Sequence, residues 1–406
     1  MEIFTARQPI FNTKMETVAY EILFRSSYEN AMPEIDGDLA SSHVLTNTYF
    51  NFGLEELTGG KNAFINFTEN LILRQIPLIF PKESIVVEIL ENVPPTKELI
   101  NECRLLKKDG YKIALDDFIY RPALAPLVEL ADIIKFDFRA TPLDEIEKYA
   151  KRFAKENKTL LAEKVETEKE YKIAKKIGFD LFQGFFFCRP QIIKGHNIPS
   201  NKVQLLHLIA EINKKDAEMS KIANLIQHDV GLSYKILRYI NSAYYRRLEK
   251  ISSIKDAAVL IGLEELKKLA SLVVLTNMES KQQNALLRNS SVRAKFCELV
   301  GNEINNPRFS PTALFTMGLF SHIDALLGYP MDKILQELPL SDEITIAYLE
   351  KRGPLYPVLV LVSLYEQAKF DQVLELQQKL KLDEKRLPQI YLEACRWTDE
   401  SFKSLS

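Results

Sequence analysis

The sequence predicts an α/β domain followed by an all-α domain: a modified (β/α) barrel with an antiparallel first strand, then a purely helical domain. Two observations lead to this fold class. Short runs of β-branched and aromatic residues alternate with helix-like segments up to residue 188, and beyond residue 201 only helical spacing remains. The chain has 406 residues, which at roughly 100–200 residues per domain favours two domains.

Seven short runs in the first half have the composition of buried β-strands. They are VAYEILF at 18–24, AFINF at 63–67, IVVEIL at 85–90, KIALDDF at 112–118, IIKFDF at 133–138, TLLAEKV at 159–165 and LFQGFFF at 181–187. Alternation of such strands with helices predicts a parallel sheet, and several nearly all-apolar strands predict closure into a TIM-like barrel. FTARQPIF at 4–11, followed by NTKM, predicts a hairpin with the first of these runs, so the first strand is antiparallel.

Helices are predicted where apolar residues fall on one face. In the first half these residues are Leu99, Ile100, Cys103 and Leu106 within 97–109, and Leu143, Ile146, Ala150 and Phe153 within 143–156. In the second half they include Leu205, Leu208, Ile209 and Ile212, among which His207 is expected to be a packed core histidine. The stretch 189–201 carries two prolines and a glycine. We therefore predict a barrel domain at 1–190, a linker at 191–201 and a helical domain at 202–406.

The composition is that of an ordinary globular protein. The formal net charge is −2, so we expect neither a nucleic acid nor a membrane surface as a partner. The apolar stretches around 269–275 and 356–365 are too short to span a bilayer. Four widely spaced cysteines fit a reducing compartment, and MEIFTARQPIFN lacks an apolar signal core. We therefore expect a cytoplasmic protein.

A carboxylate, amide or lysine stands near the end of almost every predicted strand. These residues are Glu21, Asn66, Glu88, Asp116, Asp117, Lys135, Glu163 and Gln183. Because the C-terminal ends of barrel strands face one mouth, we expect these side chains to converge there. One acid at a strand end is usually just solvated, but repetition over six strands favours a shared site.

So many carboxylates in one place repel one another, and bound divalent cations would remove that cost. Oxygen ligands favour Mg²⁺, Mn²⁺ or Ca²⁺ over zinc. Two such ions that share a bridging aspartate can activate water and hold a phosphodiester for in-line attack. The residues therefore predict a metal centre suited to phosphodiester chemistry.

Seven motifs follow one another along the first 190 residues. They are YEILFR at 20–25, FINFT at 64–68, VEILE at 87–91, LDDF at 115–118, IIKFD at 133–137, AEKVET at 162–167 and FQGFFFCRP at 182–190. Their order and content resemble EAL domains, the phosphodiesterases that open cyclic di-GMP to linear pGpG. Lys164 stands where that family has glycine.

The resemblance implies a role for each matching residue. One Mg²⁺ or Mn²⁺ ion would be held by Glu21, Asn66, Glu88 and Asp116, and a second would be held or oriented by Asp116, Asp117 and Glu163. Besides Glu163, the implied catalytic residues are Lys135, which would contact the attacking water or the scissile phosphate, and Gln183, which would support the water network. Leu23 would line the pocket floor, and Arg25 would pair with a phosphate, for which a planar guanidinium is well suited.

The loop after the DDF motif departs from the family. EAL enzymes usually continue with GTGYSSL, a flexible loop that helps to bind metal and couples two barrels. Here IYRPALAPL follows at 119–127, and its two prolines and lack of glycine predict a stiffer loop. Glu91, which anchors that loop in the family, is retained. The retained ligands favour turnover, whereas the replaced loop argues against it.

The second half resembles a different family. DVGLSYKILRYINSAYY at 229–245 and ISSIKDAAVLIGLEEL at 251–266 resemble the HDOD domain, a helical relative of HD phosphohydrolases that lacks their metal site. Asp229 is predicted to cap a helix, and His322 and Asp324 are not adjacent, so we expect no catalysis here. The whole chain resembles the EAL–HDOD signalling proteins, which regulate functions such as motility in bacteria.

Two functions remain open from the sequence. The first is metal-dependent hydrolysis of cyclic di-GMP, coupled to a non-catalytic HDOD regulatory or output domain. The second is a catalytically inactive sensor or scaffold that acts through protein–protein contacts. The partners expected from the resemblance are cyclic di-GMP, an unidentified signalling protein at the HDOD domain, and a second copy of the chain in a homodimer.

Overall fold

The computed structural model describes residues 3–26, 54–184, 200–214, 216–241, 251, 253–277, 284–304, 306–338, 340–383 and 385–405. The chain divides into two compact units: the first comprises Met1–Arg189 and Glu366–Phe370, and the second comprises Pro190–Tyr365 and Asp371–Ser406. Most of the predicted linker lies outside the described residues, so the domain bounds remain a prediction. Among the helices of the described ranges, none combines the length and the apolar character needed to cross a membrane.

Eight strands form a closed barrel in sequence order. They are β1 Ile3–Asn12, β2 Thr17–Ser26, β3 Asn62–Phe67, β4 Ile85–Ile89, β5 Lys112–Leu115, β6 Ile133–Asp137, β7 Thr159–Glu163 and β8 Leu181–Phe182. Strand β1 pairs antiparallel with β2 and β8, and all other neighbours are parallel. The predicted barrel with an antiparallel first strand is confirmed.

A tight turn reverses the chain between β1 and β2. The Asn12 side-chain oxygen accepts hydrogen bonds from the backbone N–H groups of Lys14 and Glu16 at 2.9 and 3.0 Å. Met15 adopts a left-handed backbone conformation with φ 64°. The turn fixes a register in which Gln8 lies opposite Glu21, and this pair belongs to the site described below.

In the described part of the barrel, six α-helices lie between the strands. They are α1 Leu54–Thr58, α2 Glu69–Leu73, α3 Lys97–Asp109, α4 Ala125–Leu130, α5 Leu143–Lys155 and α6 Glu168–Ile177. The two helices predicted at 97–109 and 143–156 are present, and α5 buries Ile146, Ala150 and Phe153. Leu143, expected on the same face, is exposed because it opens the helix.

The described part of the second unit contains helices and no strands, as predicted. The helices are α7 Ser200–Ile212, α8 Met219–His228, α9 Val230–Ile240, α10 Ile254–Ile261, α11 Leu263–Asn277, α12 Asn284–Ile304, α13 Pro311–Phe320, α14 Ile323–Leu327, α15 Met331–Glu337, α16 Asp342–Leu349, α17 Tyr356–Glu366, α18 Phe370–Leu380 and α19 Arg386–Leu405. The helical class of this half is therefore confirmed.

Two predictions about single residues of this half have opposite outcomes. Asp229 caps α9, because its carboxylate accepts a hydrogen bond from the Leu232 backbone N–H at 2.9 Å. The prediction that His207 is a core histidine was wrong: its side chain is exposed and lies 3.2 Å from Glu337 Oε2. Leu206 and Ile209 face the core instead.

Candidate functional site

The pleat of the strands places the candidate residues in one layer above an apolar plug. The plug consists of Ile10, Ala19, Phe64, Val86, Ala114, Ile133 and Leu161, with Leu181 packed against it. Side chains two positions apart on a strand point to the same face of the sheet. The residues two positions closer to the C-terminal mouth than the plug residues form the layer: two positions later on β2 to β8, and two positions earlier on the antiparallel β1. They are Gln8, Glu21, Asn66, Glu88, Asp116, Lys135, Glu163 and Gln183. The alternation of the strands thus brings residues from all of them to one end of the barrel.

Lys135 lies at the centre of this layer. Its Nζ is 2.7 Å from Glu88 Oε1, 2.7 Å from Asp116 Oδ1 and 2.8 Å from Glu163 Oε1. Glu21 Oε2 lies farther away, at 3.7 Å. The side chains of Lys135 and Glu88 are fully buried. Four carboxylates thus surround one ammonium, and the site has an excess of negative charge.

Amide side chains orient Glu21 from two directions. Gln183 Nε2 donates hydrogen bonds to Glu21 Oε2 at 2.7 Å and to Gln8 Oε1 at 2.9 Å. Asn66 Nδ2 donates to Glu21 Oε1 at 3.5 Å. Because the N–H groups of both amides face this carboxylate, their carbonyl oxygens remain available to another partner.

Besides Glu88 Oε1 and Asp116 Oδ1, which lie beside the Lys135 ammonium, four buried acceptor oxygens of the layer have no hydrogen-bond donor among the described residues. They are Asn66 Oδ1, Glu88 Oε2, Glu163 Oε2 and Gln183 Oε1. Buried acceptors without a donor are costly and rare in native proteins. Carboxylate and amide oxygens at one buried place are the donor set of a hard divalent cation, so the residues present fit such an ion.

Burial also shifts the acid–base chemistry of the layer. It raises the pKa of Glu88 well above its usual value, and neighbouring carboxylates add to the shift. It raises the pKa of Glu163 to about 8, although Lys135 acts in the opposite direction. Burial alone would lower the pKa of Lys135, but the surrounding carboxylates outweigh that effect and raise it. A cation that enters this layer therefore displaces protons from its carboxyl groups.

A second set of carboxylates lies at the edge of the layer. Asp116, Asp117 and Glu163 each offer one oxygen within 4.8 Å of the others. Asp117 has a left-handed backbone with φ 38°. Lys164 Nζ lies 3.4 Å from Asp117 Oδ2 and 2.5 Å from Asp137 Oδ2. Burial raises the pKa of Asp117, with Asp116 contributing in the same direction.

The replaced loop forms one wall of a cleft beside this edge. The chain passes through a 3₁₀ turn at Pro122–Leu124 into α4. The cleft has about 440 Å³ of space, part of it open to solvent, and is lined by residues that include Asp116, Asp117, Glu91 and Arg121. Glu91 is exposed and has no hydrogen-bond partner among the described residues, so its role as a loop anchor remains a prediction.

The two predicted substrate-binding residues lie on β2. Leu23 is half-buried, and its role at the pocket floor remains a prediction. The backbone of Arg25 pairs with Phe4 in the hairpin, but the Arg25 side chain lies outside the described residues. The structure therefore gives no position for the phosphate contact expected of Arg25.

Three residues of the site were not singled out by sequence reasoning as site residues. Asp137 ends β6 in the same way as the chosen acids end their strands, so the same criterion identifies it. Gln8 lies opposite Glu21 in the hairpin register, and a prediction of that register would have found it. Lys164 was noted only as a replaced glycine, and its ion pairs with Asp117 and Asp137 depend on positions that no local pattern reveals.

Comparisons with known proteins match both halves of the chain. Residues 50–190 match the family described as the EAL domain, and residues 198–337 match the HDOD domain. Uncharacterized protein YuxH of Bacillus subtilis (strain 168) is 39% identical over 405 residues, which is 98% of each chain. Cyclic di-GMP phosphodiesterase CdgJ of Vibrio cholerae serotype O1 is 35% identical over 400 residues, covering 98% of this chain and 92% of that one.

Among solved structures, the calcium and cyclic di-GMP complex of Klebsiella pneumoniae BlrP1 is 23% identical, with a TM-score of 0.39, over 47% of this chain and 56% of that one. The two full-length relatives, by contrast, extend across both halves of the chain at well over 30% identity. The ordered motifs and the closed barrel agree with that likeness. The chain therefore belongs to the family of two-domain proteins in which an EAL domain precedes an HDOD domain.

Proposed function

We propose that the barrel binds cyclic di-GMP at its mouth with two divalent cations and hydrolyses it to linear pGpG. The observation that carries this proposal is the layer of buried carboxylate and amide oxygens around Lys135, four of which lack a hydrogen-bond donor within the described residues. The name of the Vibrio cholerae relative, a cyclic di-GMP phosphodiesterase, supports the choice of substrate. In this proposal the HDOD domain is a non-catalytic regulatory or output domain.

The proposed ligands fall into two overlapping sets. Glu21, Asn66, Glu88 and Asp116 would hold one ion, and Asp116, Asp117 and Glu163 would hold or orient the other, with Mg²⁺ or Mn²⁺ as the proposed metal. When bound, such ions lower the pKa of a coordinated water and polarise a phosphoryl oxygen. Asn66 presents its unpartnered carbonyl oxygen as a ligand, because its N–H group is directed to Glu21.

The other residues bind, orient and exchange protons. Lys135 presents ammonium donors within 2.7–2.8 Å of three proposed ligands, so it can orient a water or a phosphate oxygen between them. Glu163, whose burial raises its pKa to about 8, can hold or release a proton near neutral pH. Gln183 fixes Glu21, and we propose that Arg25 and Leu23 contact a phosphate and a base of the nucleotide.

A second candidate function is a sensor that binds the nucleotide without turnover. The observation that favours it is the loop at 119–127, where Pro122 begins a 3₁₀ turn and Pro126 lies in the first turn of α4. Proline restricts the backbone, so this wall of the cleft has less freedom to close over a substrate than a glycine-rich loop.

Incubation of the full chain with cyclic di-GMP and Mg²⁺ or Mn²⁺, followed by separation of the nucleotides, distinguishes the two functions. We expect linear pGpG from the wild type and none from Glu21→Ala. Glu98→Ala is the matched control, because Glu98 is an exposed carboxylate on α3, and it should retain full activity. Binding without product would favour the sensor, and absence of both binding and product with either metal would contradict both functions.

We also propose a cytoplasmic location, a homodimer and a signalling partner at the HDOD domain. Three cysteines of the described residues, Cys103, Cys297 and Cys395, carry buried side chains, and this small number of widely spaced cysteines fits a reducing compartment. Size-exclusion chromatography with light scattering tests the homodimer. A mass of one chain at all concentrations would contradict that part of the proposal.

A further inference from the structure

We infer that Lys164 is a tethered cation that competes with one of the two divalent ions of the proposed metal centre. In this inference the ion held by Asp116, Asp117 and Glu163 binds weakly as long as the Lys164 ammonium remains on Asp117. The inference rests on the proposed function, because it concerns the same metal centre.

The first support is the position of the ammonium. Lys164 Nζ lies 3.4 Å from Asp117 Oδ2, while Asp117 offers an oxygen within 4.8 Å of those of Asp116 and Glu163. A metal ion on that set and the lysine would therefore draw on the same carboxylate. Two cations so close together repel each other, so each lowers the affinity of the site for the other.

The second support is the backbone that directs the lysine there. Lys164 directly follows Glu163 at the end of β7 and has a left-handed conformation with φ 52°. Asp117, its partner, is also left-handed with φ 38°. Residues other than glycine rarely adopt this conformation, and the motif that AEKVET resembles has glycine at this position. The ion pairs of Lys164 thus compensate a backbone arrangement that glycine reaches more easily.

The third support is that the ammonium has room to move away, and that its departure removes a donor from only one oxygen of Asp137. Its side chain is 53% exposed, so the ammonium has room to move into solvent. Asp137, its nearer partner, is only 6% exposed. However, Asp137 also accepts hydrogen bonds from the backbone N–H groups of Arg139 and Ala140 at 2.5 and 3.0 Å. These two bonds go to Asp137 Oδ1, so that oxygen keeps its donors when Lys164 is replaced or moves away, and only Oδ2, which Lys164 contacts, loses one.

Titration of the full chain with Mn²⁺ alone, with free Mn²⁺ counted by electron paramagnetic resonance, tests the inference without any measurement of activity. We expect the wild type to bind one ion more tightly than the other. Lys164→Gln should raise the affinity for the more weakly bound ion by about tenfold or more, because the substitution removes a positive charge from beside Asp117, a proposed ligand of that ion. Lys164→Arg keeps the positive charge and should leave the affinity for this ion as low as in the wild type.

Lys172→Gln is the matched control. Lys172 is another exposed lysine, paired with Glu168 at 2.6 Å on α6, and its replacement should leave both affinities unchanged. If Lys164→Gln binds both ions with the affinities of the wild type, the inference is overturned but the proposed metal centre is not. A lower affinity for the second ion in Lys164→Gln would have the same consequence. Absence of Mn²⁺ binding in every variant would instead remove the proposed metal centre, and the inference with it.

Discussion

At the scale of single residues, Lys135 is the charge around which the barrel mouth is organised. Its ammonium is fully buried and contacts Glu88, Asp116 and Glu163 within 2.8 Å. A buried charge is tolerated only when it is paired, and here the carboxylates outnumber the ammonium. Lys135 thus offsets part of their repulsion before any metal ion binds.

Replacement of Lys135 by methionine should therefore destabilise the metal-free protein. Loss of one partner from a buried ion pair costs roughly 3–5 kcal/mol, and thermal unfolding in the presence of a chelator measures the effect. Lys107→Met is the control, because the Lys107–Asp132 pair at 2.6 Å is about one-third exposed and its loss should cost about 1 kcal/mol or less. Added Mn²⁺ should recover part of the loss in Lys135→Met. Equal stability of the two variants would contradict this account of the site.

Glu163 gives the metal-free barrel a specific dependence on pH. Burial raises the folded-state pKa of this group to about 8 from its usual value of 4.5. Between these two values the folded state binds more protons than the unfolded state, so stability falls as pH rises. Urea unfolding with chelator at several pH values should show this fall between about pH 5 and pH 8. Glu163→Gln should reduce the slope rather than abolish it, because the pKa of Glu88 is raised as well. A slope identical to that of the wild type would contradict the role of Glu163.

The residues of the site were predictable from the sequence to the extent that the strand period determines their direction. Glu88 and Glu163 stand at or next to the ends of their strands and Glu21 in the middle of β2, and the two-residue pleat directs all of them inward. Their partners were not predictable, because contacts depend on the stagger between strands. The contacts of the Lys135 ammonium with three carboxylates were therefore not predicted, and its contact with the attacking water or the scissile phosphate remains a prediction.

At the scale of the elements, the close approach of the segment after β8 to the segment after β7 depends on Gly184. Gly184 has φ 143°, and a Cβ atom there would lie 2.4 Å from the backbone nitrogen and oxygen of Val165. The Val165 N–H also donates a hydrogen bond to the Gln183 carbonyl at 3.0 Å. This close approach keeps Gln183 beside Glu21. A glycine is needed at this position of the motif because a larger residue would clash with the backbone of Val165.

Gly184→Ala should destabilise the barrel and weaken binding of cyclic di-GMP, because the clash with backbone atoms displaces Gln183. Gly178→Ala is the matched control: Gly178 also has a positive φ of 109°, but nothing lies within 4 Å of its Cβ position. The control should lose about 1–2 kcal/mol from backbone strain, and Gly184→Ala should lose clearly more. Urea unfolding followed by circular dichroism measures both, and equal losses would contradict the steric argument.

The type and order of the elements followed from sequence patterns, but the phase of a helix sometimes did not. The strands were predictable because β-branched runs alternate with helical spacing, and the antiparallel β1 followed from a hairpin signal. In α7, adjacent Leu205 and Leu206 allow two apolar faces. The structure buries Leu206, which turns His207 outward. Only packing against other helices decides between two such faces.

At the scale of the whole molecule, the two units bury titratable groups of opposite character. In the barrel, Glu163 is an acid whose folded-state pKa is raised. In the helical unit, His322 is half-buried with Nδ1 3.2 Å from Ser290 Oγ, and desolvation together with Arg293 lowers its pKa well below 6.5. The separation into two domains was predictable from the change of period near residue 190. The partial burial of His322 was not, since a single histidine carries no pattern.

Because of Glu163 and His322, the stability of the two units should depend on pH in opposite directions. A lowered histidine pKa means that the folded helical unit binds fewer protons than its unfolded form below about pH 6.5, so the His322 contribution to stability is lost as pH falls. Hydrogen exchange with mass spectrometry on the full metal-free chain, corrected for intrinsic exchange rates, resolves the two units by peptide. Lowering the pH from about 8 to about 5.5 should increase protection in β7 and decrease it in α12 and α14. His322→Gln should remove the decrease in the helical peptides and leave β7 unchanged, whereas Glu163→Gln should reduce the increase in β7 and leave the helical peptides unchanged. A trend in the helical peptides that survives His322→Gln would mean that another group carries the pH response of that unit.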